Sequence, residues 1–190
     1  MKTRLAMLVV AMSCTFAGSA MATTKAEYKA EKARISADYK VNKQKCDALK
    51  ANAKDICVSE AKGMEKVAKA EAEAAYEPSP KHTEKVALAK GDAAYDTAKE
   101  KCDDLAGNAK DVCIKDAKAA HVKAKESAKV SKVSADTSMD KKAKVANARK
   151  DASKDIREAD YKAAKERCDA LAGASKDSCI NDAKVKYGMK

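Results

Sequence analysis

CDALKANAKDIC, from Cys46 to Cys57, returns as CDDLAGNAKDVC from Cys102 to Cys113 and as CDALAGASKDSC from Cys168 to Cys179. The match reaches outward. A tyrosine stands seven residues before each first cysteine (Tyr39, Tyr95, Tyr161), and Ala-Lys follows each second one at Ala61-Lys62, Ala117-Lys118 and Ala183-Lys184. On one continuous helix the two cysteines of a copy would stand about 16 Å apart. A disulfide needs Cα atoms within about 7 Å, so the chain must reverse between them. The residues for a reversal are present. Gly107 and Gly173 suit the left-handed conformation that ends a helix. Asn108 then caps the next helix, and Asn108-Ala-Lys-Asp111 has capping-box spacing with Asp in place of the usual Glu or Gln. Asn52-Ala-Lys-Asp55 repeats that pattern. The third copy carries Ala174 at the Asn position, which makes Ser175 the expected cap.

Residues 1–22 read as a secretory signal peptide. Lys2 and Arg4 precede an apolar run from Leu5 to Gly18, which ends in Ala20-Met21-Ala22, with cleavage before Thr23. The run is too short to anchor in a bilayer, and no later stretch reaches the roughly 20 apolar residues of a transmembrane helix. A lipid attachment through Cys14 lacks the expected preceding Leu. Cleavage leaves six cysteines in an exported protein, where disulfides are the default. If each copy is self-contained, the pairs are Cys46–Cys57, Cys102–Cys113 and Cys168–Cys179.

After cleavage 38 basic residues face 29 acidic ones, a formal charge of +9. The large apolar residues after Thr23 are four Leu, five Ile, ten Val and three Met, with six Tyr and neither Phe nor Trp. By its low aliphatic content and high charge such a chain sits near disorder. Alanine tips it back towards order, because Ala, Lys and Glu are strong helix formers and only Pro78 and Pro80 interrupt the mature chain.

The arms have helical periodicity. Tyr28, Ile35, Tyr39, Cys46 and Leu49 keep one face of a helix, and Ala61, Met64, Ala68, Ala72 and Ala75 keep one face of the returning helix. A bulky arm beside an alanine arm allows close antiparallel packing. Tyr39 with Leu49, Tyr95 with Leu105, and Tyr161 with Leu171 are the expected packing residues of the three hairpins. Glu77-Pro78-Ser79-Pro80 ends the first hairpin, and Ser134-Ala135-Asp136-Thr137-Ser138 marks a softer boundary. The expected organisation is a signal peptide at 1–22 and helical hairpin repeats at 23–77, 78–134 and 135–190. The fold class is all-α: three helix-turn-helix hairpins, each with an intra-hairpin disulfide, extended or loosely bundled. The spacing between copies grows from 56 to 66 residues, nearly three extra helical turns, and the third returning arm is short.

No residue set specifies a reaction. HExxH, nucleophile-elbow, phosphate-loop and paired-carboxylate signatures are lacking, so the expectation is no enzyme, no cofactor and no metal site. His82 and His121 lie in separate arms and are expected to be exposed to solvent. Zinc bound by the six cysteines would suit a cytosolic protein, whereas export favours disulfides. Catalytic cysteine pairs usually have C-x-x-C spacing, which leaves a thiol–disulfide role in third place. Lys123, Lys125 and Lys129, with Lys141, Lys142 and Lys144, are candidate anion contacts. Export removes nucleic acid as a physiological partner, leaving an envelope protein or an anionic envelope polymer. Lipopolysaccharide, phospholipid head groups and cell-wall polymers all belong to that group. Ala-rich faces also serve self-association.

The blocks YKAEKARISADYK (Tyr28–Lys40) and KCDALKANAKDIC (Lys45–Cys57), set in Ala-Lys-Glu arms behind a signal peptide, resemble small exported proteins of Gram-negative bacteria labelled TolA-like or cell envelope biogenesis proteins. The resemblance covers nearly the whole mature chain. It implies a periplasmic structural or interaction component of the cell envelope. A basic anion-binding or holdase-like module is the alternative. TolA itself keeps an uncleaved N-terminal membrane helix and ends in a folded partner-binding domain; this chain shows neither, so no Tol-system role passes to any residue.

Overall fold

The computed structural model describes residues 23–190, and the signal-peptide reading of 1–22 lies outside the described residues. The described chain forms six α-helices: α1 (Lys25–Lys45), followed by one 3-10 turn at Cys46–Ala48, then α2 (Ala51–Tyr76), α3 (Pro80–Cys102), α4 (Gly107–Ser134), α5 (Lys141–Cys168) and α6 (Gly173–Tyr187). Strong helix formers account for their length, and local chemistry accounts for their ends. Thr24 and Glu27 form a capping box at α1: Glu27 N donates to Thr24 Oγ1 at 3.2 Å, and Thr24 N donates to Glu27 Oε2 at 2.7 Å. Ser79 caps α3 by accepting from His82 N at 3.1 Å, with Pro80 in the first helical position. The sequence reading takes both prolines as a stop. Pro80 is also a start, because its missing N–H falls where no intrahelical bond would form.

Among the described residues each helix packs only on its neighbours in sequence. The result is an open row of three hairpins in which the stapled bends (α1–α2, α3–α4, α5–α6) alternate with free ones (α2–α3, α4–α5). The expected all-α set of three disulfide-stapled hairpins is what the structure contains. The contacts between successive hairpins, α2 with α3 and α4 with α5, are more extensive than those within a hairpin.

The core is made of small side chains. Among the described residues the buried apolar side chains are Ile35, eight alanines exemplified by Ala61, Ala89, Ala119 and Ala163, and the first cysteine of each staple, joined by Ser59 and Glu126. Cys46, Cys102 and Cys168 are the bulkiest side chains fully removed from water. Leu49, Leu105 and Leu171 do not join this core as expected; they stay 41%, 44% and 44% exposed. The helical phase stops before each of them. Each Leu N–H donates to the C=O of the cysteine three residues earlier, at 3.0 Å in all three copies, and this turns the chain away from the seam.

Alanine seams bring backbones close. A Cβ built on Gly63 of α2 would lie 2.8 Å from Ala93 Cβ of α3, and one on Gly91 of α3 would lie 2.9 Å from Ala124 Cβ of α4. Helix propensity alone says Gly→Ala stabilises by about 1 kcal/mol. Overpacking costs about 1–3 kcal/mol, and at Gly63 the obstructing atom is short and belongs to a seam. Gly63→Ala is therefore expected to lower stability by about 1 kcal/mol in urea unfolding; an increase in stability would show that the seam yields freely.

Candidate functional site

The three bends share one construction. The first cysteine closes a helix, and the second sits in the following one, with Cα–Cα separations of 5.6, 5.6 and 5.7 Å. Between them one extended residue (Lys50, Ala106, Ala172; φ near −130°) precedes a left-handed one: Ala51 at φ 49°, Gly107 at 56° and Gly173 at 55°. Gly107 and Gly173 have the expected conformation in a different place. They open the second helix, because a tight turn on the cysteine carbonyl has already ended the first. The first copy puts alanine there, in a conformation that costs an L-residue roughly 1–2 kcal/mol.

The expected caps differ in the same region. No side chain caps α2, α4 or α6, so Asn52 with Asp55, Asn108 with Asp111, and Ser175 do not serve as N-caps. Asn52 Nδ2 instead donates to Glu100 O at 2.8 Å, and Asn108 Nδ2 to Glu166 O at 3.0 Å. Those carbonyls lie in the last turns of α3 and α5, where each accepts from a backbone N–H three residues on (Asp103 and Asp169, both 3.1 Å) and takes the asparagine as a second donor. The asparagines therefore join one stapled bend to the next. The third copy carries Ala174 at this position, which has no side-chain donor and makes no such tie.

Sequence reasoning missed a further repeated feature. Asp47–Lys54, Asp103–Lys110 and Asp169–Lys176 form ion pairs across the bends at 2.9, 2.9 and 2.8 Å. The lysine hydrogen bonds hold Asp47 and Asp169 below the ordinary carboxylate range. The signal was available, since Asp and Lys occupy the same offsets from the first cysteine in all three copies.

Tyr39, Tyr95 and Tyr161 are half-buried in the arms. Tyr95 stacks on His121 with ring centroids 4.6 Å apart. His121 Nε2 lies 2.7 Å from Asp92 Oδ1, and Lys66 Nζ donates to Asp92 Oδ2 at 2.6 Å, so this cluster joins α2, α3 and α4. His82 lies 2.5 Å from Glu77 O through Nδ1 and 3.5 Å from Glu73 through Nε2, and Lys85 also pairs with Glu73. The two histidines, expected in solvent, retain only 12% and 19% side-chain exposure, because each lies against a seam carboxylate. Among the described residues no group of three or more His, Cys, Asp or Glu is placed to hold a metal.

The candidate lysines divide. Lys123 pairs with Asp160 at 2.9 Å, Lys129 with Glu126 at 2.5 Å, and Lys144 with Asp140 and Asp136 at 3.3 and 3.6 Å. Lys125, Lys141 and Lys142 have no carboxylate within 4.0 Å among the described residues. An open groove of about 700 Å³ lies between α2 and α3, floored by Met64, Val67 and Ala94. Glu60–Lys101 and Glu71–Lys90, at 3.3 and 2.8 Å, bridge the same two helices. At the equivalent places between α4 and α5 stand Lys123 and Asp160, so that seam carries an ion pair where this one is apolar.

Compared with family models, curated proteins and solved structures, the chain matches none. Three disulfides fit an oxidising compartment. No helix among the described residues is long and apolar enough to cross a membrane.

The bends and the seam cluster can each be tested by substitution. Ala51→Gly is expected to raise stability by about 1 kcal/mol and Gly107→Ala to lower it by a similar amount, read as opposite shifts of the thermal midpoint. Nothing lies within 4 Å of a Cβ at Gly107, so backbone conformation alone is tested. Partial burial pushes the Asp92 carboxyl up, but hydrogen bonds from Lys66 and His121 outweigh it and hold the group below its usual value. A depressed folded pKa stabilises above the unfolded value and is lost as pH falls through the folded one. Asp92→Asn should therefore be less stable than the parent near neutral pH, and the gap should narrow as pH falls through and below the ordinary carboxylate range. A gap independent of pH would refute that role.

Proposed function

We propose that this chain is a non-enzymatic structural and interaction protein of the bacterial periplasm, exported by the segment 1–22. The observation that carries this reading is the open row. Each helix is held only by its neighbours in sequence, so the molecule presents two long, charged sides instead of enclosing a core. Such an array offers extended surface for its size, as stacked repeat proteins do. The disulfides support an oxidising destination, and the Ala-Lys-Glu arms support the likeness to exported envelope proteins.

A second reading, binding of an anionic envelope component, is favoured by unpaired basic residues on α5. The thiol–disulfide reading stands third, since Cys46, Cys102 and Cys168 are 0%, 0% and 1% exposed and only the part-buried second sulfur of each pair is left open to attack.

The test is expression with the leader in a Gram-negative host, followed by fractionation, non-reducing peptide mapping and cross-linking in intact cells. The mature chain should begin at Thr23, appear in the periplasmic fraction with three within-hairpin disulfides, and cross-link to one recurring envelope component. Cytoplasmic retention with free thiols would overturn the proposal, as would a periplasmic chain that cross-links to nothing in the envelope.

A further inference from the structure

α5 is the one long helix whose partner stops early. Cys179 is stapled to Cys168, and α6 continues only to Tyr187, eight residues further. In antiparallel order that reaches the level of about Asp160, leaving roughly 29 Å of α5 with α4 as its single helical neighbour. The ten residues that lengthen the repeat enlarge this same end. Relative to the staples, α4 ends later than α2, α5 starts earlier than α3, and the bend between them is longer.

The charges on this uncovered length are sorted. Residues 141–157 hold seven basic and two acidic side chains, a net +5 against +9 for the whole chain after Ala22. Ala152, 5% exposed, marks the side turned to α4. Lys142, Arg149, Lys150, Lys154 and Arg157 fall within an arc of about 140° on the other side, while Asp151 and Asp155 lie outside that arc. All five basic residues are exposed. Among the described residues none has a carboxylate within 4.0 Å, whereas the seam lysines Lys66, Lys90 and Lys123 do. Arg157 makes only a 3.4 Å contact to Ser153 Oγ. From Lys142 to Arg157 the strip is about 22 Å long and straight.

At its outer end the bend between α4 and α5 projects Met139, which is fully exposed, beside Lys141 and Lys142. A hydrophilic polyanion offers this side chain nothing. A bilayer interface accepts an apolar tip and supplies a plane of anionic head groups for the lysines and arginines behind it.

We propose that the free flank of α5, with Met139 at its tip, is a docking surface for an anionic phospholipid bilayer. This rests on the anion-binding reading above and names its partner. The protein lies along the membrane on α5 and stays peripheral, and the remaining hairpins project from that contact.

The experiment is co-sedimentation of the disulfide-intact mature chain with vesicles of phosphatidylcholine alone and with about a third phosphatidylglycerol. Soluble polyphosphate serves as a competing anion. Binding should require phosphatidylglycerol and weaken with salt. Arg149→Gln, Lys150→Gln and Lys154→Gln together should lower the partition coefficient on the order of a hundredfold. An equal loss of charge on α1, by Lys29→Gln, Lys40→Gln and Lys43→Gln, should leave it within about threefold of the parent. Met139→Ser should weaken vesicle binding and leave polyphosphate binding unchanged. Circular dichroism and disulfide mapping establish that each variant is folded. Equal partition into neutral vesicles, or equal losses from the two triple variants, would overturn the proposal. If polyphosphate is held as tightly as vesicles and Met139→Ser changes neither, the bilayer assignment falls while anion binding stands. If no anion is bound at all, both fall.

Discussion

The structure depends on a covalent bond that compensates for missing hydrophobic mass. Among the described residues the bulkiest side chains fully out of water are three cysteines, each tied across a bend to a partner eleven residues on. Cross-linking a loop of this size is worth on the order of 3 kcal/mol in the chain-entropy view, and burial of alanine methyls adds little per residue. The staple also fixes where each antiparallel pair begins. That lets the alanine faces meet in register, and close enough for Gly91 to be required where α3 crosses α4; the unstapled seam between α2 and α3 comes as close at Gly63.

The ion pairs along the seams have a different standing. Lys66–Asp92, Lys90–Glu71, Lys101–Glu60 and Lys123–Asp160 join neighbouring helices, yet their lysines remain substantially exposed. Exposed pairs are each worth little. Their value here is in sorting: they take up carboxylates and lysines at the seams, and the basic residues left without a partner stand on outer flanks, that of α5 among them.

Much of the fold was legible because it is written in covalent and periodic terms. Cysteine spacing against helical rise demands a reversal, and the threefold repeat selects one pairing out of fifteen. Helical arms follow from alanine and lysine content, and the prolines mark a real bend. What stayed hidden depends on partners distant in sequence. Asn52 has the spacing of a local cap, but its hydrogen bond goes to a carbonyl 48 residues away. Leu49 continues the spacing of its helix on paper, but a turn at the cysteine carbonyl breaks the phase three residues earlier. His82 and His121 look solitary in the chain because Glu73 and Asp92 reach them from other helices. The basic flank of α5 was partly readable as composition. Its unpaired state required knowing how far α6 reaches.

The asparagine ties give the array a direction of growth. Each of the first two hairpins offers a donor to the hairpin after it, through Asn52 and Asn108, and the third offers the methyl group of Ala174. The mirror position on the first hairpin, two residues before Cys46, is the backbone carbonyl of Gln44, equivalent to those of Glu100 and Glu166. A unit added ahead of the first would meet an acceptor of the same kind, while one added behind the third would meet no such donor. In terms of tandem duplication, a unit placed ahead of the first hairpin keeps the tie, whereas one placed behind the third would need Ala174→Asn to regain it.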